Sequence, residues 1–248
     1  LKIALSTKPD PWLPHYDFTW RWANFSDAVS TFQDPLLRSF WYAFLATVLC
    51  IVIGYPMAYF LAFKAHRFRS ILLGLIMVPF FTSFLIRTIA WKTILGPKGP
   101  AHWLVEHGHL TGLTDLLHIT TDGRFLETPT AVILGLTYNF LPFMVLPIYV
   151  ALEKIDIRLL DAAQDLYDNP ANAFRKVILP LSLPGVFAGS LLTFIPAAGD
   201  YINAEFLGNV RTGMIGLQIR NLFISESNYP QAAALSFIFM AIITAGVL

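Results

Sequence analysis

Two carboxylates stand close together in Gly199-Asp200-Tyr201-Ile202-Asn203-Ala204-Glu205, directly after a long apolar run. Acids in such a place can neutralise a cation, and an aromatic ring beside them, Tyr201, can stack on an ammonium group. Solvated loop acids have the same composition, so the pair is a candidate cation path with a bland alternative beside it. Arg87, in Phe84-Leu85-Ile86-Arg87-Thr88, is a charge within an otherwise apolar segment. An ionisable residue there marks a cavity or pathway unless it snorkels to a nearby interface. Tyr138 and Phe140 add further aromatic faces. His102 and Glu106 sit one helical turn apart, with His107 and His109 following, but the spacing matches no standard metal site. A different kind of order marks Ile157 to Tyr167: Ile157, Leu160, Ala163 or Ala162, and Leu166 or Tyr167 recur at helical steps while Asp161, Asp165 and Asp168 lie elsewhere on the turn.

Lipid must position these groups. The chain has 248 residues, 56% hydrophobic and 13% charged, with a mean hydropathy of +0.59. A soluble domain carries about 25% charged residues. The net charge of +1 offers no electrostatic argument for nucleic acid. The single cysteine, Cys50, lies in an apolar run, so no intrachain disulfide can form. The chain begins at Leu1 and stops within an apolar run at Leu248, from which a missing first span is expected.

Crossing a bilayer core of about 30 Å takes about 20 apolar residues in a helix, since lipid cannot satisfy free backbone groups. Residues 40–63, 131–152 and 177–199 qualify without a single charge. Residues 71–95 qualify with Arg87 and Lys92 in their second half, and 231–248 form a fifth candidate. Lys64, Arg67 and Arg69 crowd the loop 64–70, and Lys154, Arg158, Arg175 and Lys176 occupy 153–176. The excess of Lys and Arg places both loops in the cytoplasm, with 1–39, 96–130 and 200–230 outside. Pro56, Pro79, Pro142, Pro147, Pro184 and Pro196 fall within the spans and predict bent helices around a cavity.

The loop 153–176 is therefore cytoplasmic and ordered: a short amphipathic helix, a break at Asp168-Asn169-Pro170, and a second turn leading into Leu179-Pro180. Its pattern resembles the EAA loop in permease subunits of bacterial ABC importers. That motif is Glu-Ala-Ala, three residues, Gly, nine residues, Ile, any residue, Leu-Pro. Here it reads Asp161-Ala162-Ala163, three residues, Tyr167, nine residues, Val177-Ile178-Leu179-Pro180. The spacing is kept; Asp replaces Glu, Val replaces Ile and Tyr replaces Gly. Asn169 with Pro170 stands to supply the turn that the family's glycine makes. An interfacial helix on lipid is the alternative, but such helices are basic on their polar face and this one is acidic. The runs GYPMAYFLA, VPFFTSFLIRTIAWK, LGLTYNFLPFMVLPIYVALEKID and LPLSLPGVFAGSLLTFIPAAGDY also resemble, in order, the polyamine branch of that family.

The resemblance implies an all-α polytopic membrane protein of the ABC importer type I transmembrane class: a six-helix core, its first helix missing here, with residues 1–39 an extracytoplasmic segment and 40–248 the transmembrane domain, its cytoplasmic coupling loop at 153–178. It implies residence in the bacterial inner membrane and carriage of a polyamine, spermidine or putrescine. Ferric iron, a phosphonate, or a proton-driven carrier or membrane enzyme are the alternatives. Implied partners are a second permease subunit, an ATPase dimer and an extracytoplasmic substrate-binding protein. This chain has no GxxxxGK[ST] phosphate loop, so ATP and Mg would be bound by the ATPase and no cofactor is expected here. Asp161, Ala162, Ala163, Leu166, Tyr167, Asn169, Leu179 and Pro180 would couple to the ATPase. Asp200, Tyr201, Glu205, Arg87 and Tyr138 would line the substrate path.

Overall fold

A computed structural model describes residues 1–7, 16–107, 124–156, 158–159 and 170–247. Helices dominate it. Helix α1 runs Ala23–Phe63, followed by α2 (Arg69–Met77), α3 (Phe84–Ile94), α4 (Pro100–His107) and α5 (Pro129–Glu153). One helical turn, Pro170–Ala173, and a π-helical stretch, Phe174–Ile178, lead into α6 (Leu179–Ala198). Then come α7 (Ile202–Leu207), α8 (Ile215–Ile224) and α9 (Tyr229–Val247). A two-residue antiparallel ladder pairs β1 (Ser6–Thr7) with β2 (Asp17–Phe18).

Among the described residues, four helices are long and apolar enough to cross a membrane: Ala23–Phe63, Pro129–Glu153, Ala171–Ala198 and Tyr229–Val247. They coincide with four of the expected spans, except that α1 starts at Ala23 and takes in part of the segment expected to precede it. The stretch 71–95 is not one straight span. His66–Phe81 and Phe84–Ile94 meet at 93°. Pro79 lies in the 3-10 turn Val78–Phe81, where it has no N–H to continue a helix, and the Thr82 hydroxyl donates to the Pro79 carbonyl at 2.6 Å, closing the turn. In α1, Phe32 departs from helical geometry (φ −115°, ψ 18°), three residues before Pro35. A proline removes the bond to the carbonyl four residues earlier and crowds it. Pro142, Pro147, Pro184 and Pro196, by contrast, are carried inside continuous helices.

The chain divides into two compact units: Leu1–Tyr42 with Lys92–Val132 and Ala198–Leu248, and Ala43–Trp91 with Ile133–Ala197. In the first unit, Ala4, Ala28, Ile215, Leu222, Ala232 and Leu235 form a buried cluster. Asn24 ties the N-terminal segment to it by donating to the carbonyls of Ala4 and Ser6 at 2.9 and 3.0 Å.

In the second unit, α6 lies against α5 with almost nothing between the backbones. A Cβ on Gly185 would stand 2.5 Å from the Ala151 Cβ and 2.6 Å from the Pro147 carbonyl oxygen; one on Gly189 would meet the Met144 sulfur at 2.9 Å. Small residues at helix crossings are how apolar helices associate when lipid removes the hydrophobic drive. Cys50, fully buried, donates its thiol to the Thr137 carbonyl at 3.3 Å, which makes it a packed side chain. The outer faces of α1 and α6 keep Val52, Phe60, Leu183, Phe187 and Leu192 exposed.

Gly185→Leu should force α5 and α6 apart. We expect a lower yield and melting temperature in detergent, by the ~1–3 kcal/mol typical of overpacking or more. Gly74→Ala, with no atom within 4 Å of the added Cβ, should leave both unchanged or slightly raised. Equal effects of the two substitutions would contradict the crossing.

Candidate functional site

The two ends of the 157–169 segment are rooted in one apolar cluster. Ala58, Leu61, Ala65, Tyr149, Leu152, Ile155 and Ile178 are all buried in it. Ile155 precedes the segment and Ile178 follows it. Phe174 meets Tyr55 and Tyr59 edge-on, at centroid separations of 5.7 and 6.0 Å. The hydroxyls of Tyr55 and Ser182 share a hydrogen bond of 2.8 Å. The π-helical turn has a local cause. Pro180 has no N–H for the turn below it, and the Leu179 N–H reaches back five residues to the Phe174 carbonyl. Leu179 is half-buried there and Pro180 is exposed. Asp161, Ala162, Ala163, Leu166, Tyr167 and Asn169 lie outside the described residues.

Asp200, Tyr201 and Glu205 lie in the first unit. Asp200 follows the end of the apolar span and is buried, and its Oδ1 accepts the Asn203 N–H at 2.7 Å at the start of α7. Burial pushes its carboxyl up to about 7, while hydrogen bonds from Asn203 and Ala204 pull the other way. The turn is held from the side by α8: a Cβ on Gly216 would stand 2.2 Å from the Gly199 carbonyl oxygen, so the backbones touch. Helix α8 is itself fastened at its first residue, where the Ile215 N–H donates to the buried Ser39 hydroxyl at 2.6 Å. Tyr201 is exposed. Glu205 is paired with Arg220 of α8, 3.1 Å from Nη1 to Oε1. Beside the pair opens a cavity of ≈ 430 Å³ lined by Gly208, Asn209, Gly213, Gln218 and Asn221 among others. Asn209 braces its rim, accepting from the Arg211 and Thr212 N–H groups and donating to the Glu127 carbonyl.

Arg87 and Tyr138 lie in the second unit. The Arg87 side chain is buried rather than turned outward, with Cζ 5.8 Å from the Phe80 ring centroid and 5.4 Å from that of Phe84. Its Nε has no hydrogen-bond partner among the described residues. Tyr138 meets Trp91 at 5.4 Å, and the neighbouring Asn139 donates to the Thr88 hydroxyl at 3.4 Å. Sequence reasoning singled out the acids and Arg87 but missed Ser39, Arg220, Gly216 and Asn209. Arg220 looked like a loop charge; its pairing with Glu205 joins two elements, and no local spacing announces it.

The long apolar helices are those of a multi-pass membrane protein. The fold agrees with that of a bacterial ABC transporter involved in the import of the acidic polysaccharide alginate: TM-score 0.63, 16% identity, covering 99% of this chain and 84% of the other. It agrees also with an inward-facing MetNI methionine ABC transporter, with TM-score 0.53, 19% identity, and 86% and 94% of the two chains covered. The profile of the family described as binding-protein-dependent transport system inner membrane component matches residues 50–248, and the chain belongs to that family. It is thus a multi-pass inner-membrane transport subunit. The spermidine/putrescine transport system permease protein PotB of Escherichia coli is 41% identical over 203 residues, covering 82% of this chain and 71% of that protein. The protein of the same name from Haemophilus influenzae is 41% identical over 192 residues. There the match covers 77% of this chain but 64% of the relative's length.

The raised Asp200 value has a testable sign. The fold favours the protonated carboxyl, so its contribution to stability is full below the ordinary value of 3.8 and is lost as pH rises through about 7. Asp200→Asn keeps an oxygen for the Asn203 N–H but cannot ionise. The melting temperature of Asp200→Asn minus that of the parent should therefore grow between pH 4 and pH 7. A difference that is flat across this window would show Asp200 to be solvated.

Proposed function

We propose that this chain is a permease subunit of an ATP-binding cassette importer that carries polyamines such as spermidine and putrescine. One observation carries the reading: 41% identity over 203 residues to spermidine/putrescine permeases. In this reading a loaded extracytoplasmic binding protein docks outside, and an ATPase dimer, which holds ATP and Mg, closes inside. This chain pairs with a second permease to form the path. Asp161, Ala162, Ala163, Leu166, Tyr167 and Asn169, with Leu179 and Pro180 at the exit, seat the loop on the ATPase. The shared core under Ile155 and Ile178 supports that role, because a loop rooted at both ends in packed side chains moves its helices when it is pushed.

The substrate chemistry follows from charge. A cation at mid-membrane costs about 2.5–3.5 kcal/mol on insertion scales. One carboxylate 4 Å away returns about 4 kcal/mol at an effective dielectric of 20, enough to help without trapping. Asp200 suits this use: an arriving ammonium favours the ionised carboxylate, whose proton passes to water, and the acid is restored to its buried, uncharged form on departure. Glu205 is held by Arg220 until a substrate ammonium displaces the guanidinium. Tyr201, Tyr138 and the rings around Arg87 offer aromatic faces along the way.

Uptake of labelled spermidine into vesicles holding the assembled transporter tests the reading. Asp200→Asn should lower uptake at least tenfold, a barrier change of about 1.4 kcal/mol, with basal ATP hydrolysis retained. Ala163→Arg should abolish both uptake and stimulated hydrolysis while the helices still insert. A parent complex that hydrolyses ATP but carries no spermidine would refute the substrate, and normal coupling in Ala163→Arg would refute the docking role.

A further inference from the structure

Arg69 and Glu153 meet in the second unit as an ion pair, Nη2 to Oε1, and the Arg69 guanidinium lies 5.3 Å from the ring centroid of Tyr149. Arg69 is the first residue of α2 and Glu153 the last of α5. Each charge is at the unfavourable end of its helix: a cation where the helix dipole is positive, an anion where it is negative. Neither helix gains from its own charge, so the pair is explained by what it connects. It connects the first cytoplasmic loop to the last residue of α5, immediately before the coupling loop. Both side chains are more than a third exposed, and pairs of that kind add little to stability. Beneath them the two helices share apolar packing. Tyr149 is buried with Leu152 and Ile155, and Leu72 and Leu73 of α2 pack on the same cluster.

From this we infer that Arg69, Glu153 and Tyr149 form a strut that passes movement of the coupling loop to α2 and the bent α2–α3 segment, which makes Arg69 and Glu153 positioning residues for transport. The inference rests on the transport reading above. Without the pair, a push on the loop tilts the end of α5 and is absorbed in the loop 64–68 instead of moving α2. Arg is suited to the place because its planar guanidinium can face the ring while its edge reaches the carboxylate, a geometry lysine lacks.

The test uses the assembled transporter in vesicles, with binding protein, and reads both ATP hydrolysis stimulated by the binding protein and spermidine uptake. Arg69→Gln and Glu153→Gln should each lower stimulation and uptake at least about fivefold, the lower end of coupling between distant sites. Melting temperature and assembly with the ATPase should stay at parental values. Exchanging the two charges, Arg69→Glu with Glu153→Arg, should recover most of the stimulation. Single variants that couple like the parent, or an exchange that recovers nothing, would overturn the strut. A parent stimulated by binding protein yet unable to carry spermidine refutes only the polyamine assignment, since the stimulation ratio still reads the strut. A parent without stimulated hydrolysis overturns both.

Discussion

The contact of α6 with the backbone of α5 is the constraint on which the second unit depends. Gly185 and Gly189 leave no room for a side chain of their own: an added Cβ would stand 2.5 Å from the Ala151 Cβ and 2.9 Å from the Met144 sulfur. With α6 that close, its leading turn delivers Phe174 to Tyr55 and Tyr59 and brings Ile178 into the cluster that already holds Leu152 and Ile155. Ile155 and Ile178, on either side of residues 157–169, thus share a single packed core. Packed cores resist deformation, so the helices that meet in this cluster are held in fixed relation to one another. The π-helical turn before Pro180 belongs to the same design, since it absorbs the missing N–H without unwinding the entry to α6.

Charge is scarce in this chain, at 13% of residues, and the charges at the sites are each given an answer. Glu205 has Arg220 and Glu153 has Arg69. Arg87 has the faces of Phe80 and Phe84, and Asp200 has the Asn203 N–H. These answers differ in firmness. A half-exposed ion pair can exchange partners cheaply, whereas a buried carboxyl responds by changing its protonation. The Asp200 turn therefore holds a buried acid and, five residues on, a second acid paired with Arg220. Helix α8, pressed onto Gly199 through Gly216 and pinned to Ser39, fixes where both acids stand.

Much of this was legible in advance, and for physical reasons. Lipid demands helices about 20 residues long, so uncharged runs announced α5, α6, α9 and the second half of α1. The spacing from Asp161-Ala162-Ala163 to Leu179-Pro180 carries the resemblance to the coupling loop, and its residues 160–169 lie outside the described residues. Proline was harder to read. Pro142, Pro147, Pro184 and Pro196 sit in continuous helices, while the break in α1 falls before Pro35, in residues expected to precede the span. The cost of a proline depends on whether neighbours satisfy the carbonyl it frees, and neighbours are a tertiary matter.

By itself the sequence determined that this protein is helical, that it lies in a membrane, and that its basic residues crowd two of its loops, one of which has the spacing of the importer family's motif. Those properties rest on local hydropathy, on charge counts and on spacing, all of which are written along the chain. Only the tertiary structure decided that 71–95 bends by 93°, that Arg87 turns into aromatic rings instead of outward, and that Glu205 belongs with Arg220. It also decided that Arg69 and Glu153, 84 positions apart, stand together at the root of the loop. Each of these depends on which side chains meet across elements. A pair separated by many turns of helix leaves no period in the sequence for a reader to find.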